Sequence, residues 1–390
     1  MAESAPGTPF TAADHRWMAR ALQLARAGLY TARPNPQVGC VLVRNGAVVG
    51  EGAHLRAGGP HAEVVALAAA GAAAREATAY VTLEPCAHHG RTPPCVEALV
   101  AARVGRVIAA HVDPNPRVAG QGLARLEAAG IATACGLLAE GAEALNRGFV
   151  KRMRTGRPWV TVKLAQSLDG RTALASGESR WITSAAARRD VHRLRARSCA
   201  IVTGLGTLLA DDPALTVRLD PDELPQHYDP DLLAPLRVVL DPGLRAPPGA
   251  RLFQAPGRSL VCSAVDRPAA AAALVAAGAE VVRLPGEPAG LDLVAVLEEL
   301  GRRQVNEALV EAGATLAGAL LAAGLVDELR LYVAPTLLGD SARPLLRLPA
   351  LTSMAARQTL VIDQVRQVGP DLRFTLRPGP CNAAADSGDS

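Results

Sequence analysis

Thr82-Leu-Glu-Pro-Cys-Ala-His-His-Gly-Arg-Thr-Pro-Pro-Cys95, read together with the upstream His61-Ala-Glu63, decides how the first half of this chain folds and works. One imidazole and two thiolates, from His61, Cys86 and Cys95, make three zinc ligands and leave a fourth position open, the arrangement of a catalytic rather than a structural site. Glu63 stands two residues from His61 at the expected start of a helix, where its carboxyl can reach a metal-held water without being a ligand. Cys86 follows a strand ending at Glu84-Pro85, and Cys95 follows Pro93-Pro94, a pair suited to opening a helix. A thiol at a helix N-terminus ionises more readily, which favours the thiolate that zinc requires. A purely structural zinc site is the rival reading. It needs a fourth ligand, for which His88 or His89 is available, and it leaves Glu63 without a task.

Around this stretch, strand and helix signals alternate. Thr11 can cap a helix that carries Asp14 in its first turn and Trp17, Met18, Ala21, Leu22 and Ala25 at helical spacing. Strands are expected at 38–43 and 47–51, joined by the tight-turn pair Asn45-Gly46. A helix at 63–74, a strand at 79–83, a helix at 95–102 and a strand at 106–111 follow. A helix near 123–129, a strand at 131–134 and a helix near 139–148 complete a first α/β unit with mostly parallel central strands. The basic stretch Lys151-Arg-Met-Arg-Thr-Gly-Arg-Pro158 reads as a solvated linker.

A second alternation begins after it. Strands are expected at 159–164, 200–203, 237–240, 259–262, 280–284, 308–310 and 328–333, and helices near 185–196, 268–277, 291–300 and 316–323. The Pro/Asp-rich segment 220–235 reads as a long surface loop. The first ten residues and the tail after Pro378 read as loose ends. Two domains result, 1–152 and 153–380, with 381–390 as a disordered tail.

Composition narrows the function classes. The chain has 390 residues, 49% hydrophobic and 20% charged, which excludes a disordered polypeptide. A net charge of +4 with 3% aromatic residues argues against a nucleic-acid gripping surface, since few rings are available to stack bases. The most apolar run, 269–279, is shorter than the ~20 residues of a membrane span, and the first residues carry no secretory signal pattern. Seven cysteines are too few for a disulfide scaffold, so a reducing cytoplasm is expected. Cys40, Cys135, Cys199 and Cys262 read as buried apolar residues in or near strands, and Cys381 lies in the tail.

The H-x-E … P-C … C order is that of zinc deaminases, although their two cysteines commonly stand two residues apart and here eight intervene. With Asn35-Pro-Gln-Val-Gly-Cys40, Pro60-His-Ala-Glu63 and Asp113-Pro-Asn-Pro-Arg-Val-Ala-Gly120, the stretch from Thr82 to Cys95 resembles the bifunctional riboflavin-biosynthesis deaminase–reductases of bacteria. The eight-residue insert is that family's own variant. The resemblance extends into the second half through Val162-Lys-Leu-Ala-Gln-Ser-Leu-Asp-Gly-Arg171, Ala175-Ser-Gly-Glu-Ser-Arg-Trp-Ile-Thr183, Leu209-Ala-Asp-Asp-Pro-Ala-Leu-Thr-Val-Arg218 and Val310-Glu-Ala-Gly-Ala-Thr-Leu-Ala-Gly-Ala-Leu320. It covers roughly Trp17 to Arg373.

The resemblance implies an α/β fold in two parts, a cytidine-deaminase-like three-layer domain and a dihydrofolate-reductase-like domain that uses NADPH. It implies zinc-dependent hydrolytic deamination of 2,5-diamino-6-ribosylamino-4(3H)-pyrimidinone 5′-phosphate, then reduction of the ribosyl group to ribityl. His61, Cys86 and Cys95 then hold zinc, Glu63 is the catalytic proton carrier, and Asn35 matches the pyrimidine-binding loop. Ala165, Trp181, Thr207, Asp211 and the turn Gly313, Ala314, Thr315, Leu316, Ala317, Gly318, Ala319 match cofactor-contacting positions. Ser179, Arg195, Leu215, Arg218 and Glu311 match substrate positions. His54 and His88 are weaker substrate candidates, and Lys163 is a candidate for the reductase cleft.

Physical chemistry supports parts of this independently. A Gly/Ala-rich helix start after the strand at 306–311 offers free N–H groups and a positive dipole end to a phosphate. The usual dinucleotide fingerprint is incomplete, because Leu209 stands at the third glycine position after Gly204-Leu-Gly206. Arg195 and Arg218 are suited to bidentate binding of a 5′-phosphate. Pro242 stands where the family often has Ser, which removes a side-chain hydrogen bond to the cofactor. The expected partners are a small phosphorylated pyrimidine and a second copy of the chain in a homo-oligomer, with neither nucleic acid nor membrane. A nucleic-acid-editing deaminase would share the zinc motif but leave the second domain unexplained.

Overall fold

The structure, a computed structural model, describes residues 10–88, 93–116, 118–226, 228–287 and 290–379. His89, the first nine residues, the 381–390 tail and its Cys381 lie outside the described residues. The chain divides into two compact units: Met1–Gly156 with Leu224–Tyr228, and Arg157–Glu223 with Asp229–Ser390.

The first unit runs α1 (Ala12–Ala25), β1 (Gly39–Arg44), β2 (Ala47–Ala53), α2 (Ala62–Ala70), β3 (Thr78–Val81), α3 (Cys95–Ala101), β4 (Arg106–Ala109), α4 (Gln121–Ala128), β5 (Ala132–Cys135), α5 (Ala139–Leu145) and α6 (Arg147–Thr155). Its sheet has the order β2-β1-β3-β4-β5. The strands β3, β4 and β5 are parallel, whereas β1 pairs antiparallel with both β2 and β3.

Strand alternation makes this unit three layers. Cys40, Leu42, Ala79 and Val107 face Ala62 and Ala66 of α2, Leu99 of α3 and Leu126 of α4. Val41, Val43, Tyr80 and Ile108 face Met18 and Ala21 of α1 and Ala142 of α5. A sheet covered on both faces buries every side chain of its central strands, as the near-continuous apolar runs require. Scarcity of aromatic residues is met by close approach: a Cβ on Gly52 would sit 2.1 Å from the Ala62 carbonyl, so glycine lets α2 lie directly on β2. The expected cap of α1 is present as a full capping box between Thr11 and Asp14.

The second unit contains β6 (Trp159–Ser167), β7 (Arg171–Ala173), α7 (Ala185–Arg197), β8 (Ala200–Gly204), α8 (Leu205–Asp211), α9 (Pro230–Leu233), β9 (Leu236–Leu240), α10 (Arg251–Gln254), β10 (Ser259–Ser263), α11 (Pro268–Ala276) and β11 (Ala279–Arg283). It continues with β12 (Gly286–Glu287), β13 (Gly290–Leu291), α12 (Leu293–Arg302), β14 (Glu307–Glu311), α13 (Ala314–Ala322), β15 (Glu328–Ala334), β16 (Arg343–Pro344), β17 (Leu360–Val368) and β18 (Asp371–Pro378). The main sheet has the order β11-β10-β9-β8-β14-β6-β15-β18-β17. It is parallel from β11 to β15 and antiparallel at β15-β18-β17. Val238 and Leu260 point to one face, with α12 and α13. Ile201, Val239 and Val261 point to the other, with α8, α10 and α11.

Several expectations need correction. Lys151–Thr155 is the end of helix α6, not a linker, and the helix stops at Gly156, whose left-handed backbone (φ 73°) closes it. The single helix expected at 139–148 is two, α5 and α6, divided at Asn146. The 220–235 segment is not wholly loop, since it holds a 3-10 turn at Pro221–Glu223 and α9. The β17–β18 hairpin was not expected, because β17 is exposed along nearly its whole length and shows no apolar alternation. Phe10 is no loose end; it packs against the α1 side of the core. Cys40 and Cys262 are buried and Cys135 and Cys199 half-buried, all as free thiols.

Candidate active sites

The His61, Cys86 and Cys95 side chains converge because three helix and strand ends meet. His61 is the N-cap of α2, Cys86 follows β3, and Cys95 is the first residue of α3 behind Pro94. His61 Nδ1 lies 3.1 Å from Cys95 Sγ and 3.6 Å from Cys86 Sγ, and the three ligand atoms all lie within 4.8 Å of one another. Zinc–nitrogen and zinc–sulfur bonds of about 2.0 and 2.3 Å set ligand atoms roughly 3.5 Å apart around a tetrahedral ion, so the donor set fits zinc in kind and spacing. Among the described residues His88 does not join this group, and its side chain is exposed.

The electrostatics suit metal binding. Cys86 is pulled down to about 4, first by the hydrogen bond from Cys95 and then, against the effect of burial, by His61. The Cys95 backbone N–H also donates to Cys86 Sγ at 3.3 Å. Cys95 is pushed up by the same shared proton and by burial. Glu63, in the first turn of α2, is buried. Burial pushes its carboxyl up to about 7, with a smaller push from Cys86. A carboxyl that exchanges its proton near neutrality, next to three zinc-type donors, is equipped for general acid–base work.

Asn35 and His54 come together. Asn35 Nδ2 lies 3.1 Å from His54 Nε2, and His54 Nδ1 lies 3.0 Å from the Pro60 carbonyl. The Pro60 carbonyl can only accept, so Nδ1–H donates to it and Nε2 accepts from the Asn35 amide; burial, which lowers the imidazole, favours the same neutral form. His54, which is 2% exposed, therefore orients Asn35 from below. Its ring also meets His61 edge-on, 5.2 Å between centroids. Asn146 holds the same loop by both its amide atoms, accepting from Gln37 N–H at 2.7 Å and donating to Gln37 C=O at 2.8 Å.

Glu84 is the residue that sequence reasoning missed. Buried between β3 and Cys86, it accepts four backbone N–H groups: Asp113 and Gly120 on Oε2, Gly122 and Leu123 on Oε1. One carboxylate thus fixes the 113–123 loop, caps α4 and steadies the chain entering Cys86. The signal was its place within Thr82-Leu-Glu-Pro-Cys86, but local spacing marks it only as a strand end and does not show the distant N–H groups it accepts.

In the second unit, Arg195 is not free to grip a phosphate bidentately. Its Nε and Nη2 donate to Glu311 at 2.5 and 2.9 Å, and Nη1 donates to the Thr216 carbonyl at 3.0 Å. Arg195 and Lys163 pull Glu311 down to about 2 against the effect of burial. Lys163 is the ladder partner of Glu311, and burial lowers its own ammonium. Leu215 is buried, and Arg218 is exposed. Ser179 is half-buried on the segment before Trp181, which is 68% exposed. The Arg188 guanidinium lies 4.3 Å from the Trp181 ring centroid.

The turn from Gly313 to Ala319 is largely helix α13. The first intrahelical bond runs from Ala317 N–H to the Gly313 carbonyl, so the N–H groups of Ala314, Thr315 and Leu316 point out of the helix start, as an anionic cofactor phosphate requires. Thr207 joins this start by accepting the Gly313 N–H at 3.2 Å. Ala317 is core and Gly318 packs on the Arg347 backbone, so neither is accessible for cofactor contact; Ala319 is exposed. Ala165 lies half-buried on β6, and Asp211 is exposed at the end of α8. Pro242 offers only its carbonyl, which accepts the Ala264 N–H at 3.0 Å.

Comparison with known proteins matches both halves. Residues 11–111 match the cytidine and deoxycytidylate deaminase zinc-binding region, and residues 158–374 match the RibD C-terminal domain. The riboflavin biosynthesis protein RibD of Escherichia coli is 53% identical over 366 residues, covering 93% of this chain and 99% of the relative. Among solved structures, Acinetobacter baumannii RibD superposes with a TM-score of 0.86 at 46% identity, over 94% of this chain and 99% of that one. A diaminohydroxyphosphoribosylaminopyrimidine deaminase/5-amino-6-(5-phosphoribosylamino)uracil reductase from Thermotoga maritima gives 0.80 at 30% identity, over the same shares.

Proposed function

The chain belongs to the RibD family of riboflavin-biosynthesis deaminase–reductases, and from that premise we propose how its own residues divide the two reactions. It is a bifunctional enzyme with a zinc-dependent deaminase domain and an NADPH-dependent reductase domain. The proposed substrate is 2,5-diamino-6-ribosylamino-4(3H)-pyrimidinone 5′-phosphate. The observation that carries the deaminase assignment is the convergence of His61, Cys86 and Cys95, with ligand atoms within 4.8 Å of one another and the buried Glu63 carboxyl in the first turn of the adjoining helix.

In deamination, zinc held by His61, Cys86 and Cys95 would supply an activated water near neutral pH. Glu63 takes a proton from that water and returns it to the departing amino group, so water enters and ammonia leaves with Glu63 unchanged. Asn35, set by His54, orients the pyrimidine. In reduction, NADPH would supply the electron pair. The ribosylamine opens to an imine, whose carbon is reduced and whose nitrogen gains a proton. Glu311, the last residue of β14, and Lys163, its ladder partner within β6, face the sugar, with Ser179, Leu215 and Arg218 around the substrate. The first-turn N–H groups of α13, with Thr207, receive cofactor phosphate; Ala165, Trp181 and Asp211 flank it.

Two wider parts of the reading follow. No helix among the described residues is long and apolar enough to cross a membrane, and the free thiols fit a reducing cytoplasm. A homo-oligomer fits the edge strand β17, where Val361, Ile362 and Val365 are exposed. The decisive experiment incubates the purified protein with the diaminopyrimidinone, with and without NADPH, and identifies products by mass. Amino-to-oxo exchange without cofactor, and gain of two hydrogens only with it, is the expected result. Reduction without prior deamination, or neither change, rejects the reading.

A further inference from the structure

His192 and Arg195 lie three residues apart on α7, hence on one face, and both reach the same short segment. Arg195 Nη1 donates to the Thr216 carbonyl at 3.0 Å, and the Arg218 backbone N–H donates to His192 Nδ1 at 3.1 Å. Between the reductase residues Leu215 and Arg218, the chain is therefore clipped to α7 at two points. The clip has something to hold. Leu215 sits in the left-handed region at φ 49°, which a branched residue occupies only when its surroundings impose it. Its side chain is buried while that of Arg218 is exposed.

We propose that His192 is a positioning residue of the reductase site: by accepting the Arg218 N–H it fixes the 215–218 backbone and so sets where the Arg218 guanidinium meets a phosphorylated substrate. This rests on the functional reading above. Arg195 is already spent on Glu311, which leaves Arg218 as the cation of this segment available to a phosphate. The surroundings keep Nδ1 an acceptor. Burial, then Arg195 and Arg218, hold the imidazole down to about 4, with Glu311 the opposing charge. A backbone anchored before binding spares the ordering cost that a loose arginine would bring.

The test measures reductase kinetics of the full chain on the pre-deaminated ribosylaminouracil phosphate and on its dephosphorylated counterpart. His192→Leu removes the acceptor; His192→Asn places an amide oxygen where Nδ1 lies. One hydrogen bond corresponds to about two- to tenfold in an equilibrium constant. His192→Leu should raise KM for the phosphorylated substrate about three- to tenfold, with kcat and the KM for NADPH little changed. His192→Asn should restore it, and the dephosphorylated substrate should not distinguish the variants. Deaminase turnover in the same preparation reports on folding. If His192→Leu does not accumulate, His192→Asn is compared with His192→Gln, whose amide reaches past the Nδ1 position; only Asn should keep KM. An unchanged KM in Leu or Gln, an equal change without the phosphate, or a joint loss of kcat and NADPH affinity overturns the proposal. A wild-type protein that reduces neither substrate overturns the functional reading, and the inference with it.

Discussion

Glu84 and Gly122 hold each other in place: Glu84 Oε1 accepts the Gly122 N–H at 2.8 Å, and a Cβ on Gly122 would stand 2.0 Å from the Pro85 carbonyl. The carboxylate needs a backbone that approaches this closely, and only glycine permits it. Gly122→Ala should therefore act like a change at Glu84 itself. Both Gly122→Ala and Glu84→Ala are expected to destabilise the first unit by about 2–4 kcal/mol, through a backbone clash in one case and unsatisfied buried N–H groups in the other. Urea unfolding should show this, with zinc retention reduced and reductase turnover kept.

Glu63→Gln preserves shape and removes the exchangeable proton. Deamination should fall by about 10²- to 10⁴-fold, the usual contribution of a general acid–base group. NADPH oxidation on pre-deaminated substrate should be unchanged. Normal ammonia release from Glu63→Gln would remove this residue from the mechanism.

Chelation discriminates a catalytic zinc from a structural one. The first unit has extensive cores on both faces of its sheet, so removing the metal should abolish ammonia release while circular dichroism and reductase turnover persist. A structural site would instead lose its fold with the ion. Cys86→Ser should reproduce the chelator's effect, with bound zinc followed by elemental analysis.

Breaking the Arg195–Glu311 pair should be costly. Arg195→Met leaves a carboxylate in a site where it is about 10% exposed, and losing one partner of such a pair costs about 3–5 kcal/mol. Glu311 sits at about 2 in the fold, below its unfolded value, so its stabilisation is present above the unfolded carboxylate range and is lost as pH falls toward 2. In Arg195→Met this acid dependence should weaken, as seen in urea midpoints between pH 6 and pH 3.

His192 has the opposite chemistry and the same direction. It is neutral in the fold down to about 4, whereas the unfolded imidazole takes a proton near 6.5. Acidification from pH 6.5 to 4 therefore favours the unfolded chain through this group. His192→Asn cannot titrate, so its melting temperature should fall less than the wild type's between pH 7 and pH 5.

The convergence of His61, Cys86 and Cys95, with Glu63 on the adjoining helix turn, was legible in the sequence because it sits in local spacing: a helix start at His61, a proline-led helix at Cys95 and a strand end before Cys86. Most strands and helices were legible for the same reason, since burial on both faces writes apolar runs into the chain. What the tertiary structure alone decided concerns groups with long-range partners. Arg195 read as a phosphate ligand until Glu311, 116 residues away, was found to occupy its fork. Glu84 read only as the end of a strand, and its four N–H partners come from a distant loop; β17 carried no buried face to betray it. Periodicity records which side of an element is dry, and spacing records which residues share a turn. Neither records which buried charge meets which, because that pairing is set by where remote segments pack.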